Sequence, residues 1–385
     1  MTTKTAPREY FLDSIRAYLM LLGIPFHLSL IYSSHQWAVN SQTSSMLLTV
    51  LNDVIHAFRM QVFFVISGYF SYMLYERYEP QRWLKVRLER VAIPMLSAMV
   101  LITLPQFLML KNFTTRIQGW ATFTLYEKIN VTIWELVSHL WFLLTLIILT
   151  CLGFAIFRRL KAIQTNRIPF PANHFHSVGK LLFYFLLFSL GYAVIQRGIL
   201  IASPDLLFNS VFNFVVMESL FYLPFFILGA LAFKYAWLKA LLLRPSPLAL
   251  LLAPLLFAAY IANQHLNDTA HFSPEIDTLI TGTLGIVMVN LVFSVGHRLL
   301  NSHSPRITYL VNASLFIYLV HHPLTLIYGA FVTPQIENNL VGFALGLIFV
   351  FGLAFLLYEV HQRIPLLRFL FSGKSQKPVV VPSSR

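Results

Sequence analysis

The stretch FLDSIRAYLMLLGIPFHLSL, residues 11–30, is apolar enough to cross a bilayer, yet it contains Asp13, Arg16 and His27. An ionisable group at the bilayer centre costs roughly 2.5 kcal/mol or more, so three on one span need partners or a task. At about 100° per residue they project within roughly 60° of one another and form one stripe. Arg16 and His27 stand about 16 Å apart along a helix. A stripe of that length must face protein or a water-filled cavity rather than lipid. Interhelical hydrogen bonding that fixes packing is the competing structural role. Pro25 lies just before His27, where it can bend the helix and free a carbonyl.

Other apolar segments repeat the pattern. Asp53, His56 and Arg59 fall at i, i+3 and i+6; Glu135, His139 and Trp141 share a segment; His321 and His322 precede Pro323; Glu359 and His361 end the last apolar run. This many titratable groups in one bundle reads as functional.

The elements that must position them are helices in a membrane. Of the 385 residues 57% are hydrophobic and 11% charged, too few charges for a soluble surface. Ten runs near the length a bilayer requires are expected, at 15–34, 52–74, 91–110, 136–157, 180–197, 210–233, 248–264, 277–297, 308–330 and 340–361. With both termini in the cytoplasm, 23 of the 28 Lys and Arg fall on the cytoplasmic side. Lys111, Arg116, Lys128 and Arg197 fall opposite, and Arg59 lies within a span. That imbalance follows the positive-inside rule and accounts for most of the +13 net charge without nucleic acid. The basic loops can also attract anionic lipid.

Cys151 is the single cysteine, which excludes an intrachain disulfide and a cysteine metal cluster. It lies in an apolar stretch, where packing is the expected role. His174 and His176 fall in a basic loop and are expected to be solvated; His265, Asp268 and His271 fall in an opposite loop and could bind a metal, although spacing without a helix or strand is weak evidence for one. No metal is assigned. The first span lacks the exit of a cleavable signal peptide, and no internal repeat suggests a transporter. The expected organisation is an all-α polytopic membrane domain over 1–372 and a flexible cytoplasmic tail over 373–385.

Several segments resemble the membrane-bound acyltransferase 3 family. These are FLDSIRAYLMLLGIPFHLSL with its Asp-x-x-Arg and later His, VFFVISGYF at 62–70, VRLERVAIP at 86–94, SHLWFL at 138–143 and YLVHHP at 318–323. The ordered similarity covers roughly residues 8–372. Longer segments, including HAFRMQVFFVISGYFSYML and NASLFIYLVHHPLTL, resemble members associated with succinylation of osmoregulated periplasmic glucans in Gram-negative bacteria. The resemblance implies an inner-membrane enzyme that takes an acyl group from a cytoplasmic acyl-CoA, with succinyl-CoA the natural donor. It passes the group to a hydroxyl of a periplasmic glucan, met directly or through the glucan-synthesis machinery. No permanently bound cofactor is expected.

On that reading Arg16, Arg87 and Arg90 bind the donor phosphates; Arg87 and Arg90, three apart, can share a helical face. Ordinary flanking charge is the competing role for this pair. His27 is the candidate general base. Asp13 lies too far along the helix to touch it and more plausibly orients Arg16 or an arginine of the third span; Glu218 and Glu359 are alternative carboxylate partners for His27. Arg59, Ser67, His139, Trp141, His321 and Glu359 are candidates for contacting substrate or the oxyanion. Arg59 could hold a succinyl carboxylate or pair with Asp53. Trp37, at the outer end of the first span, is an interfacial anchor or a sugar platform. Competing functions are O-acetyl transfer to another envelope polysaccharide and a transporter or flippase.

Overall fold

The computed structural model describes residues 9–114, 117, 119–163, 177–265 and 273–373. Arg116, His174, His176, Asp268, His271 and the tail beyond Gly373 lie outside the described residues. Ten helices are long and apolar enough to cross a membrane: α1 (Tyr10–Ile31), α2 (Met46–Arg77), α3 (Pro80–Phe113), α4 (Leu125–Ala162), α5 (Val178–Ala202), α6 (Ser210–Lys234), α7 (Pro247–His265), α8 (Pro274–Leu299), α9 (Pro305–Gln335) and α10 (Asn339–Arg363). They correspond one to one with the ten expected spans, and no strand occurs among the described residues. Most helices overrun the apolar core, because a helix continues into its polar flanks. α1 starts at Tyr10, which brings Asp13 and Arg16 inside it. A short helix, Pro365–Ser372, follows α10. Glu9, just before α1, and Arg368 line one cavity, so the first and last described segments meet at the same end of the bundle.

The centre of the bundle is the crossing of α2 and α6. A Cβ added to Gly68 would lie 1.9 Å from the Phe226 carbonyl oxygen, and one added to Gly229 would lie 1.8 Å from that of Val65. Only glycine lets these two backbones touch. Phe64, Phe225 and Phe226 fill the surrounding space with no exposed surface. Gly68→Ala must push α2 and α6 apart, and we expect it to destabilise the protein by about 1–3 kcal/mol. Thermal unfolding of the purified protein checks this, with Gly198→Ala as control; nothing lies within 4 Å of a Cβ at Gly198, and that variant should unfold like the parent.

Irregular turns interrupt the helices in the middle of the bundle. α1 is interrupted at Leu22, just before Pro25, whose ring crowds the carbonyl four residues back. α3 and α6 contain π-helical turns at Met99–Thr103 and Asn213–Met217. α4 breaks at Ser138, a non-glycine residue with φ of 36°, a conformation that costs about 1–3 kcal/mol. α9 runs through Pro323. Such features collect at functional sites because they re-aim side chains that a regular helix would point elsewhere.

Candidate active site

At the end where those segments meet, a cavity of about 780 Å³ opens between α1, α2, α3, α4, α9, α10 and the short C-terminal helix. Arg16, Arg77, Arg87, Arg90 and Arg368 line it, against two carboxylates, Glu9 and Asp13. Glu9 is engaged by Lys239 at 2.6 Å, and the Asp13 carboxylate lies 3.5 Å from Arg16. Arg16 also lies over the Phe70 ring, 5.1 Å from its centroid. Arg16 and Arg90 both press their charge on Arg87, whose Nε is buried without a hydrogen-bond partner. Clustered guanidinium groups in excess over carboxylates suit a polyanion. The walls become apolar with depth, through Met20, Phe63, Phe142 and Leu146, with Ser67 among them.

Beyond those residues lies a cluster of imidazoles. Ring centroids separate His27 from His322 by 4.7 Å and from His321 by 5.2 Å, and His139 stacks on His322 at 4.6 Å with planes 8° apart. Hydrogen bonds to fixed acceptors hold three of the four. Pro323 has no N–H to give the Leu319 carbonyl, four residues back, and His139 Nε2 takes that place at 3.1 Å. His321 Nδ1 donates to the Tyr318 carbonyl at 2.7 Å, and His322 Nδ1 to Gln106 Oε1 at 2.9 Å. Each of these rings, when neutral, therefore presents a lone pair at its other nitrogen. His139 Nδ1 and His321 Nε2 are buried and unpartnered. His27 makes no hydrogen bond to a described residue, and its Nδ1 is buried. It is the one imidazole of the four that can take a proton at one nitrogen and release another elsewhere.

Arg59 enters the same centre. Its guanidinium lies 4.7 Å over the Phe26 ring, beside Tyr222 and Tyr318, and its Nη1 is buried without a partner. It does not pair with Asp53. That carboxylate accepts His35 Nε2 at 2.7 Å and His265 Nε2 at 2.5 Å, tying α7 to α2. Two imidazoles and a carboxylate are also ligands suited to a divalent cation, and their ligand atoms lie within 4.8 Å of one another. Arg59 has no carboxylate partner among the described residues. Gly23 keeps open the space it faces: a Cβ there would lie 3.5 Å from Arg59 Nη1 and 3.1 Å from His321 Nε2.

On the far side of the imidazoles is a second cavity of about 350 Å³. Trp37, Trp134, Trp141 and Phe214 give it aromatic walls, and Glu135, Glu218, Asn213, Ser138 and His322 give it polar groups. The break at Ser138 and the π turn at Asn213–Met217 bring these residues together. No residue lines both cavities.

The expected site residues thus fall into three groups. Asp13, Arg16, Ser67, Arg87 and Arg90 belong to the arginine-lined cavity, His27, Arg59, His139 and His321 to the centre, and Trp141 to the second cavity. Glu218 also lines the second cavity. Glu359 joins none of these groups: it is exposed on α10 and accepts from Tyr309 Oη at 2.7 Å. Cys151 is exposed on the bundle surface rather than packed inside. Sequence reading did not single out Gln106, Tyr318, Trp134 or Arg368. A lone Gln in the apolar run LITLPQFLML was the available signal for the first.

The acyltransferase domain model Acyl_transf_3 matches residues 9–359. Glucans biosynthesis protein C of Escherichia coli strain K12 is 58% identical over 380 residues, covering 99% of this chain and 97% of that protein. The protein of the same name from Salmonella heidelberg strain SL476 is 57% identical over 385 residues, covering 100% and 99%. No solved structure matches. A family match that takes in the arginine-lined cavity, the imidazole centre and nearly every span leads to one assignment: this multi-pass membrane protein is an acyltransferase and belongs to the acyltransferase 3 family.

Proposed function

We propose that this chain transfers succinyl groups from succinyl-CoA, bound at the cytoplasmic face, to hydroxyls of a periplasmic glucan. The observation that carries the reading is the placement of an arginine-lined cavity and an aromatic, carboxylate-bearing cavity on opposite sides of one imidazole–guanidinium centre. The names of the related proteins supply the glucan. The Lys and Arg distribution supports an inner-membrane orientation with the arginine-lined cavity and both termini in the cytoplasm.

In this mechanism Arg16, Arg87 and Arg90 hold the CoA phosphates, with Arg77 and Arg368 beside them. The pantetheine arm runs up the apolar wall and passes Phe63 and Phe142, whose rings now meet edge to face at 4.6 Å. The thioester reaches the imidazoles, and the succinyl carboxylate pairs with Arg59. A glucan hydroxyl enters from the second cavity beside His322. Its oxygen attacks the thioester carbonyl carbon, so the C–O bond forms and the C–S bond breaks. His27 takes the hydroxyl proton at one ring nitrogen and passes a proton from the other to the departing CoA thiolate. Neutral His139 and His321 offer lone pairs here, which leaves the Trp141 indole N–H as the donor to the oxyanion.

Purified protein in lipid nanodiscs tests the assignment. With glucan as acceptor, succinyl-CoA should release CoA and label the glucan at least tenfold faster than acetyl-CoA. Equal rates for the two donors defeat the succinyl assignment, and donor turnover that leaves the glucan unlabelled defeats the acceptor.

A further inference from the structure

Asp53 is buried, with 3% of its side chain exposed, and no Lys or Arg among the described residues pairs with it. A carboxylate in that setting calls for positive charge beside it. The groups that meet it are His35 and His265, whose Nε2 atoms stand 2.7 Å and 2.5 Å from its two oxygens. An imidazole is charged only when protonated, so neither is a permanent counter-charge. Asp277, which accepts from Gln264 Nε2 at 2.8 Å, lies within electrostatic reach of Asp53 and adds a second negative group. A divalent cation supplies the charge that the side chains lack. We propose that His35, Asp53 and His265 bind Zn²⁺, with the fourth position open to water.

The donor set and the spacing suit that ion. Two imidazole nitrogens and a carboxylate oxygen favour Zn²⁺ over Mg²⁺ and Ca²⁺, which take oxygen ligands. The candidate ligand atoms all lie within 4.8 Å of one another. A tetrahedral Zn²⁺ holds its ligand atoms about 3.3–3.4 Å apart, so the two imidazole–carboxylate contacts must open by roughly 0.6–0.9 Å. The imidazoles have room to do so, because His35 keeps 29% and His265 15% of its side chain exposed. The same exposure gives the ion a path in from water.

The placement gives the ion a task. α1 starts beside Glu9, at the arginine-lined cavity, and α2 ends at Arg77, which lines the same cavity. The cluster therefore sits at the opposite end of the bundle. It joins the α1–α2 connection through His35, α2 through Asp53 and the last turn of α7 through His265. Only Ala249, Ala253, Tyr260 and Asn263 of α7 are buried, so a metal bond at its end fastens a lightly packed helix. Trp37, two residues after His35, lies over His27 at 5.8 Å and lines the second cavity. An ion held by His35 anchors the segment that presents this indole.

The test uses full-length protein without a histidine tag, in nanodiscs, stripped with EDTA and titrated with Zn²⁺ alone. It should take up one ion per chain at micromolar Zn²⁺ and unfold several degrees higher than without zinc, whereas millimolar Mg²⁺ or Ca²⁺ should change nothing. In the unaltered protein, Zn²⁺ should shield His35 and His265 from diethylpyrocarbonate, read by peptide mass spectrometry. His35→Gln, whose amide can still donate to Asp53, should unfold like the zinc-free parent and bind Zn²⁺ at least tenfold more weakly. His27→Ala should keep the zinc-dependent shift. No uptake at micromolar Zn²⁺ overturns the proposal, as does a shift that survives in His35→Gln. Shielding that falls on His27, His139 or His321 in place of His35 and His265 overturns it too. None of these readouts needs acyl transfer, so they stand or fall apart from the proposed reaction.

Discussion

Replacing Arg59 by Met is expected to lower succinyl transfer by at least about 10²-fold while leaving transfer from butyryl-CoA within a few-fold of the parent. Butyryl-CoA has the same chain length, with a methyl where succinyl carries its carboxylate. A guanidinium held in a protein interior without a carboxylate partner is costly, and the fold carries that cost at Arg59. A ligand that brings a permanent negative charge relieves it, and a neutral acyl chain does not. The parent should therefore discriminate against butyryl-CoA, and Arg59→Met should remove or reverse the discrimination. Initial rates with the two donors at saturating glucan decide the point. A fall of equal size for both donors would assign Arg59 to the oxyanion and leave succinyl selectivity without a residue.

The second large effect is expected at His27. His27→Ala should reduce kcat by about 10²–10⁴-fold, the range for loss of a positioned general base, with the donor KM changed only a few-fold. The separation follows from placement. The arginines proposed to bind phosphate line one cavity, and His27 lies beyond its apolar end. Its neighbours cannot readily replace it, because His139, His321 and His322 each have one nitrogen committed to a fixed acceptor. Release of CoA from a variant of parental thermal stability, followed with and without glucan, gives both constants. A parental kcat in His27→Ala protein would remove His27 as the base.

Much of this was legible in the chain itself, and the reasons are physical. The ten spans announce themselves because the bilayer fixes length and polarity together. Arg87 and Arg90 could be placed because flanking charge and helical spacing leave them one end and one face. The direction in which a side chain points across the bundle was harder to read. Glu359 and His361 stand two residues apart and so point to nearly opposite sides of α10. His361 lines the arginine-lined cavity, which obliges Glu359 to face away. Only the docking of α10 settles which of the two turns inward. The second cavity was less legible still. It depends on a positive φ at Ser138 and a π turn at Asn213–Met217, and neither leaves a mark in hydrophobic periodicity. The link between Pro323 and His139 was written in the sequence as a missing N–H, but its beneficiary comes from another helix 180 residues away.

The separation of the two cavities has an electrical consequence. Under the proposed function, each succinyl transfer carries a carboxylate outward through the barrier. If the hydroxyl proton ends on CoA, that proton crosses inward. Both displacements run with the field of a membrane that is negative inside, and each is favoured by about 2.3 kcal/mol per 100 mV for a full crossing. An acyl group without a charge would draw on the field only through its proton. On the proposed donor and orientation, the separation of the two cavities makes succinyl transfer an electrogenic reaction, driven by membrane voltage as well as by the thioester.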